Sequence, residues 1–194
     1  MATKFEWPWQ YNFPPFFTLQ PNAATQAKQM EAWRQLVLSY YKHHKEYRLD
    51  VTEAHSSALF SNESIKRRLA MEDIRTVLDT LAKSGHVEWD NDDNQKDNEG
   101  GKGGKNVTKE RCYVMWRTPS EWGDLIYKWI EQNGMTDTVC TLYELHSGDD
   151  TAQEEFHGID INVLLKALQA LERRGKAQVF TAEDPSEVGV KFFA

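Results

Sequence analysis

The amino-acid sequence predicts a mostly helical α+β protein in which one structural unit occurs twice in tandem. The first observation is a helical stripe, Trp33-x-x-Leu36-Val37-x-x-Tyr40, which recurs eighty-nine positions later as Trp122-x-x-Leu125-Ile126-x-x-Trp129. The second is a match at an offset of ninety, in which Ile74, Val77, Leu78, Leu81 and Gly85 correspond to Leu164, Ala167, Leu168, Leu171 and Gly175. The third is that an extended segment follows each of these two glycines. Matches in the same order at nearly one offset indicate a duplicated unit.

Apolar residues spaced by three and four predict three helices in each unit. In the first unit they span about 24–45, 62–69 and 71–84, and in the second about 119–133, 139–147 and 160–174. The second set has a clear beginning, because Thr118 suits a helix cap, Pro119 the first helical position and Glu121 the third. Gly85 and Gly175 predict left-handed helix ends.

Two extended segments follow the helices of each unit and predict a hairpin. They are "HVEW" (86–89) with "RCYVMWR" (111–117) in the first unit, and "KAQVF" (176–180) with "VGVKFF" (188–193) in the second. Three helices and a two-stranded hairpin make a winged-helix domain, so the sequence predicts two tandem winged-helix domains, 1–117 and 118–194. Residues 91–110 are charged, glycine-rich and without aromatic side chains, so we expect a mobile insertion at the tip of the first hairpin.

Residues 5–22, "FEWPWQYNFPPFFTLQPN", precede the first unit and are called the arm below. The arm holds four of the six prolines of the chain and has no apolar period of a helix or a strand. Its seven Phe, Trp and Tyr residues argue against disorder, because disordered segments are poor in aromatic residues. The arm therefore either folds back over its own domain or is pressed into a partner. We expect its rings to face alternately inward and outward, with Phe17 facing a partner.

The charge pattern argues against the usual task of a winged helix, which is to read DNA with its third helix. Contact with phosphates needs Lys and Arg, whereas residues 118–194 hold six Lys and Arg against 14 Asp and Glu, a net charge of −8. The third helix of the first unit is also largely acidic. We therefore predict no direct nucleic-acid binding, and a transcription-associated winged-helix factor stays open as the alternative. We interpret the basic cluster Lys66-Arg67-Arg68 as a solvated helix face.

No pattern of residues indicates an enzyme, a metal site or a cofactor. His43 and His44 are neighbours that point in different directions on a helix, and His157 has no second ligand at a known spacing. The sequence has no glycine loop for phosphate, so we predict no catalytic residue and no cofactor. Cys112 and Cys140 have no metal-ligand spacing and are expected to be reduced thiols in the cytoplasm. We also expect no secretory leader and no membrane span, since no apolar run is long enough.

The sequence resembles the family of small subunits of ESCRT-II, the endosomal sorting complex required for transport. The arm carries the most specific part of the resemblance, and "EWGDLIYKWI", "TLYEL", "EEFHGID", "LLKALQAL" and "GVKFF" extend it over nearly the whole chain. The resemblance implies a non-enzymatic tandem winged-helix protein, present twice in a complex with two larger subunits. It implies sorting of ubiquitinated membrane cargo into multivesicular bodies, and docking on the larger subunits through Pro14, Pro15 and Phe17.

The same resemblance implies a second partner for the second domain. In the family, this domain receives the N-terminal basic helix of an ESCRT-III subunit and starts ESCRT-III assembly. Acidic residues cluster in "SGDDTAQEEFHGID" (147–160), and we expect Glu154, Glu155 and Asp160 to lie on or beside that binding surface. The protein is expected to be cytoplasmic and to reach the endosomal membrane only through the complex, with a nuclear location left open.

Overall fold

The computed structural model describes residues 4–90, 109–180 and 188–194. The chain divides into two compact units, Met1–Trp116 and Arg117–Ala194.

The described part of the first unit contains three helices, five short strands and, in the arm, two 3-10 turns. The elements are α1 (Ala23–His44), β1 (Arg48–Asp50), α2 (Val51–Ser56), β2 (Ser61–Asn62), β3 (Arg67–Arg68), α3 (Met71–Lys83), β4 (Val87–Trp89) and β5 (Arg111–Val114). Strands β1, β5 and β4 form an antiparallel sheet with β5 in the centre, and β2 pairs with β3 in a separate hairpin.

Helix α1 begins at a polar cap and buries one stripe. The side chain of Asn22 accepts a hydrogen bond from the Thr25 N–H at 3.1 Å, and Lys45 ends the helix with a φ of 53°. The stripe of Trp33, Leu36 and Val37 is fully buried, as the apolar spacing predicted. These side chains share one core with the buried face of α3.

The middle helix of the first unit lies earlier in the chain than we predicted. Residues 62–69 contain the end of β2, a 3-10 turn at Glu63–Ile65 and β3, and the middle helix is α2. Asp50 starts α2, because its side chain accepts from the N–H groups of Thr52 and Glu53 at 2.8 and 3.3 Å. The prediction was wrong because Asn62 caps only one turn, which Lys66 ends in the left-handed conformation with a φ of 52°.

The described part of the second unit has the same order of helices and sheet strands. Its elements are α4 (Pro119–Gln132), β6 (Val139–Thr141), α5 (Leu142–Ser147), α6 (Ile161–Arg173), β7 (Ala177–Phe180) and β8 (Gly189–Phe192). The predicted start of α4 is confirmed: Thr118 Oγ1 accepts from the Glu121 N–H, and the Glu121 carboxylate accepts from the Thr118 N–H at 2.7 Å. Strands β6, β8 and β7 form an antiparallel sheet with β8 in the centre.

Each sheet contains a third strand that we did not predict. Strand β1 pairs Leu49 with Cys112 of β5, and strand β6 pairs Cys140 with Val190 of β8. Residues 139–141, which we expected to begin a helix, are this extra strand in the second unit. Such strands are hard to predict because three residues are too few to display an apolar alternation.

The repeat and the α+β winged-helix fold class are confirmed. Gly85 and Gly175 follow α3 and α6 with φ values of 77° and 70°, the left-handed conformation predicted for both. Residues 91–108 of the predicted insertion lie outside the described residues. Lys109 and Glu110, which we had included in it, are ordered parts of the first unit, since the Glu110 carbonyl accepts from the Val51 N–H at 2.8 Å.

Candidate partner-binding site

The arm is folded into two consecutive 3-10 turns, Trp9–Asn12 and Pro14–Phe17. Pro14 begins the second turn, where a missing N–H costs nothing and the fixed φ favours helical geometry. Each turn is closed by backbone hydrogen bonds, among them Tyr11 N–H to the Pro8 carbonyl at 3.0 Å. The prolines therefore build compact turns rather than one extended strand.

The inner side of the arm completes the core of the first unit. Tyr11, Phe16 and Phe17 are buried there, and the Phe16 ring stacks on the Trp33 indole with centroids 4.2 Å apart. Phe17 is only 3% exposed and meets the same indole edge-on at 5.7 Å. The predicted orientation of Phe17 was therefore wrong: successive 3-10 positions turn both Phe16 and Phe17 inward, because the indole is large enough to contact both rings.

Polar side chains of the unit hold the arm at both turns. The Trp33 indole N–H donates to the Phe16 carbonyl at 3.2 Å, and the Asn62 amide donates to the Tyr11 carbonyl at 2.7 Å. The Tyr11 hydroxyl lies against the carbonyls of Ala58 and Ser61. Burial, followed by the nearby Tyr40 and Glu63, raises the pKa of Tyr11 to about 12, so the hydroxyl stays a donor at neutral pH.

The outer side of the arm carries an apolar surface. The side chains of Trp9 and Phe13 are 72% and 49% exposed, and their ring centroids lie 6.0 Å apart. Pro14 and Pro15 are also exposed. These four residues are called the outer face below. Sequence reasoning chose the two prolines but missed Trp9 and Phe13, because an aperiodic segment gives no signal of which ring faces outward.

A basic hairpin lies beside the arm. Lys66, Arg67 and Arg68 are exposed on the β2–β3 hairpin, where they line an open cavity of about 370 Å³ with Ser61, Asn62 and one acid, Glu63. The expectation of a solvated helix face was wrong in its geometry, since Lys66 turns the chain instead of continuing a helix. Because the Asn62 amide binds the Tyr11 carbonyl and β3 contacts the Pro14–Phe17 turn, the hairpin packs against the arm.

Helix α3 has two basic side chains, Arg75 and Lys83, which are few for DNA reading. Its first turn carries Glu72 and Asp73, and Arg75 is paired with Glu72 at 2.7 Å. Asp79 accepts from the Trp89 indole N–H at 2.9 Å and from Lys109 at 2.7 Å, which ties the helix to the wing. This arrangement disfavours the transcription-factor alternative.

In the second unit, the acidic segment between α5 and α6 is an ordered loop. Thr151 and Phe156 are buried beneath it, and the Trp129 and Phe156 rings meet edge to face with centroids 5.9 Å apart. The Thr151 hydroxyl donates to the Gly148 carbonyl at 2.9 Å, which leaves its oxygen to accept from Nδ1 of His157 at 3.0 Å. His157 thus has a structural contact within the loop.

The three acids predicted in this loop have different surroundings. Glu154 is exposed, and its carboxylate has no partner among the residues that the structure describes. Glu155 is paired with Arg117 at 2.7 Å. Asp160 caps α6, where it accepts from the Asn162 and Val163 N–H groups at 2.8 and 3.4 Å. Only Glu154 is therefore held ready for a basic partner without first giving up a contact.

The described residues bring together no group of three or more His, Cys, Asp or Glu side chains that could hold a metal ion. Across the same ranges, none of the helices combines the length and apolar content that a bilayer crossing needs. Cys112 and Cys140 are buried free thiols, and burial raises the pKa of both.

The fold and these surfaces define a tandem winged-helix protein with candidate sites for protein partners. The chain belongs to the ESCRT-II complex subunit family, since a sequence model of that family matches residues 10–160. This confirms the resemblance that the arm and the later motifs indicated.

Individual relatives agree with this assignment over almost their whole length. Vacuolar protein-sorting-associated protein 25 of Danio rerio is 53% identical over 189 residues, which are 97% of this chain and 99% of the relative. A crystal structure of the subunit VPS25 of the endosomal trafficking complex ESCRT-II has a TM-score of 0.76 and 29% identity, covering 95% of this chain and 97% of that one. A chain in the crystal structure of the endosomal complex ESCRT-II (VPS22/VPS25/VPS36) has a TM-score of 0.73 and 30% identity, covering 93% and 96%. These names describe sorting subunits and indicate no catalytic role.

Proposed function

We propose that this chain is a non-enzymatic ESCRT-II subunit that docks through its arm on two larger subunits, relatives of the chains named VPS22 and VPS36. In this proposal two copies join each complex, which sorts ubiquitinated cargo into multivesicular bodies. The protein reaches the endosomal membrane through the complex. Family membership and the character of the outer face support the proposal.

The observation that carries the docking step is the exposure of Trp9 and Phe13 on a folded base. Aromatic side chains bury large areas and are enriched among the residues that dominate binding energy. Here the neighbouring backbone is already fixed by hydrogen bonds, so little conformational entropy is left to lose on binding. Pro14 and Pro15 add apolar area and have no flexible side chain to immobilise.

In this proposal Phe17 does not contact the partner, and its buried ring stabilises the turn that carries the outer face. Its ring fills the space against Trp33, and its backbone belongs to the same turn as the two exposed prolines. A Phe17→Ala change would therefore disturb docking through the fold of the arm. This makes Phe17 a poor choice for measuring direct contact.

The basic hairpin forms the polar rim of the proposed interface. Lys66, Arg67 and Arg68 lie on the hairpin whose strand β3 contacts the Pro14–Phe17 turn, and they would face acidic side chains of a larger subunit. Charges at a rim act mainly on the association rate, and salt weakens their effect. The hairpin therefore steers docking, while the outer face supplies most of the affinity.

The test compares the intact protein with a double variant, Trp9→Ala with Phe13→Ala, in binding to the purified larger subunits. We expect affinity to fall about thirtyfold or more, the loss typical of a hot spot of about 2 kcal/mol. Tyr143→Ala is the matched control, because Tyr143 is an aromatic side chain of the second unit with 66% exposure. A Pro14→Ala, Pro15→Ala variant should show a smaller loss.

Unchanged affinity of the double variant, with the control also unchanged, would contradict docking through the outer face. Thermal unfolding of each variant checks that the first unit is intact. Since both replaced rings are exposed, their removal should leave the unfolding temperature within a few degrees of the intact protein.

For the second unit, we propose that it receives the basic N-terminal helix of an ESCRT-III subunit beside the acidic loop. The loop presents Glu154 on a rigid base, and an acidic domain attracts a basic helix at long range. Val139, Tyr143 and Phe180 are the exposed large apolar side chains of this unit in the described residues, and they are the proposed apolar anchors.

A peptide of that basic helix, mixed with the intact protein at two salt concentrations, tests this second surface. We expect binding that weakens as salt rises and that falls further with Glu154→Lys. Glu46→Lys is the control, since Glu46 is an exposed acid of the first unit. Binding that is indifferent to both salt and Glu154→Lys would leave the acidic loop as a solubility feature.

A further inference from the structure

Gln29 is a buried polar residue of α1 that contacts the arm and not its own helix turn. Its side chain is 7% exposed, although polar residues of this type usually lie on the surface. The amide nitrogen donates to the carbonyls of Phe16 and Thr18, each at 2.9 Å, and lies 3.4 Å from the Pro15 carbonyl. The amide oxygen accepts from the Gln20 N–H at 3.1 Å.

These contacts answer a specific requirement of the arm. Burial of Phe16 and Phe17 places the last carbonyls of the Pro14–Phe17 turn next to the core, where an unsatisfied carbonyl is costly. Gln29 shares these acceptors with two other donors: the Trp33 indole N–H also binds the Phe16 carbonyl, and the Gln20 amide also binds the carbonyls of Pro15 and Thr18. Of these three side chains, Gln29 is the one that contacts all three carbonyls. A glutamine amide suits this position because it offers two N–H donors and one acceptor on a single rigid plane. Its orientation is fixed, since a flipped amide would set its oxygen against two carbonyl oxygens.

We propose that Gln29 is the positioning residue of the arm: it fixes the Pro14–Phe17 turn so that the outer face is presented already formed. The proposal rests on the docking function proposed above and adds the residue that prepares the surface. Because Gln29 is buried on the inner side, it acts through the arm and does not itself contact the partner. Partner binding then depends on the fraction of molecules in which the turn is formed.

The experiment uses the full chain with Gln29→Met and Gln29→Glu. Methionine keeps the length and packing of the side chain but removes every hydrogen bond, and glutamate keeps the shape but removes both donors. Gln35→Met is the matched control, because Gln35 is an exposed glutamine of the same helix.

The first measurement is hydrogen exchange of the protein without partner. We expect the amides of residues 5–22 to exchange about tenfold faster or more in both Gln29 variants, with α3 unchanged and Gln35→Met like the original protein. Unchanged exchange of the arm would overturn the proposal. An equal increase in α3 would also overturn it, because Gln29 would then stabilise the whole unit and not the arm in particular.

The second measurement is the kinetics of binding to the larger subunits. If the turn must form before docking, the association rate should fall about tenfold while the dissociation rate changes less than about twofold. An unchanged association rate would overturn the proposal. The proposed docking function has its own test: it is contradicted if the Trp9→Ala, Phe13→Ala variant binds as well as the original protein. In that case the hydrogen-exchange measurement still decides whether Gln29 fixes the arm.

Discussion

The segments that join the second and third helices differ in charge between the two units. Residues 57–70 carry Lys66, Arg67 and Arg68 against a single acid, whereas residues 148–160 carry five acids and no Lys or Arg. Both segments bury an aromatic ring, Phe60 or Phe156, and an aliphatic side chain just before the third helix. The duplicated unit therefore keeps the same interior, while the outside of one equivalent segment has opposite charges in the two copies. Opposite charges at equivalent places favour different partners.

The first helices of the two units show the same relation. Helix α1 begins at Ala23, ten residues before Trp33, whereas α4 begins at Pro119, three residues before Trp122. The additional turns of α1 contain Gln29, which binds the arm. The longer first helix of the first unit thus occurs together with the arm, which has no counterpart among the described residues of the second unit.

The largest expected effect tests whether the arm belongs to the fold of the first unit. Phe17→Ala removes a buried ring from the Trp33 contact and should lower the free energy of unfolding of that unit by about 3–5 kcal/mol. Hydrogen exchange of α3 measures the loss, and α6 serves as an internal reference for the second unit. Phe13→Ala, on the outer face, should cost about 0.5 kcal/mol or less.

A loss below about 1 kcal/mol for Phe17→Ala would mean that the arm is only loosely attached. In that case the arm would not be part of the fold of the first unit, and the difference between the units would lie mainly in their surface charges.

A smaller effect on stability should distinguish the first residues of the two equivalent segments, Ser57 and Gly148. A β-carbon built at Gly148 would lie 2.4 Å from the Glu144 carbonyl oxygen, so Gly148→Ser should destabilise the second unit by about 1–3 kcal/mol. Ser57 holds the equivalent place in the first unit with a similar backbone, φ −74° and ψ 161° against −66° and 148°. Ser57→Gly should therefore cost only about 1 kcal/mol, from the lost hydroxyl bond and the added chain entropy.

Denaturant unfolding of the two variants, each compared with the original protein, measures this difference. Equal losses of stability in the two variants would contradict this prediction, because they would show that a side chain at position 148 does not clash with the Glu144 carbonyl.

The smallest effect uses the two thiols as separate reporters of the two units. Burial and the nearby Asp90 raise the pKa of Cys112 from 9.0 to about 12. The folded first unit therefore keeps this thiol protonated after an unfolded chain would have lost the proton, so its stability is full below pH 9 and falls as pH rises towards 12. By pH 10 the part of the loss due to this thiol should be about 1 kcal/mol, and Cys112→Ala should remove that part.

Alkylation at neutral pH provides a second check on the same thiols. Neither Cys112 nor Cys140 should react in the folded protein, because both are buried. Phe17→Ala should accelerate modification of Cys112 and leave Cys140 unchanged. Equal acceleration of both would show that the two units open together.

The repeat and the long helices could be predicted because apolar residues at helical spacing determine them. The hairpins could be predicted because two extended segments follow the third helix of each unit. Helix α2 could also have been found, since Asp50 and Glu53 have the spacing of a capping pair, but the middle helix was predicted at 62–69 instead. The exposed residues of the arm could be predicted only in part. Whether Phe13 or Phe17 faces outward depends on the Trp33 ring, which is distant in sequence, and the role of Gln29 depends on carbonyls that a sequence does not display.

The central position of β5 and β8 has a consequence for synthesis on the ribosome. In each sheet the strand that joins the other two is the last one made, because β5 lies between β1 and β4 and β8 lies between β6 and β7. Neither sheet can assemble until its final strand has emerged, so each unit folds late relative to its own translation. The first unit can complete its folding once Val114 has left the ribosome, before β8 has been synthesised. The two units therefore fold one after the other during translation.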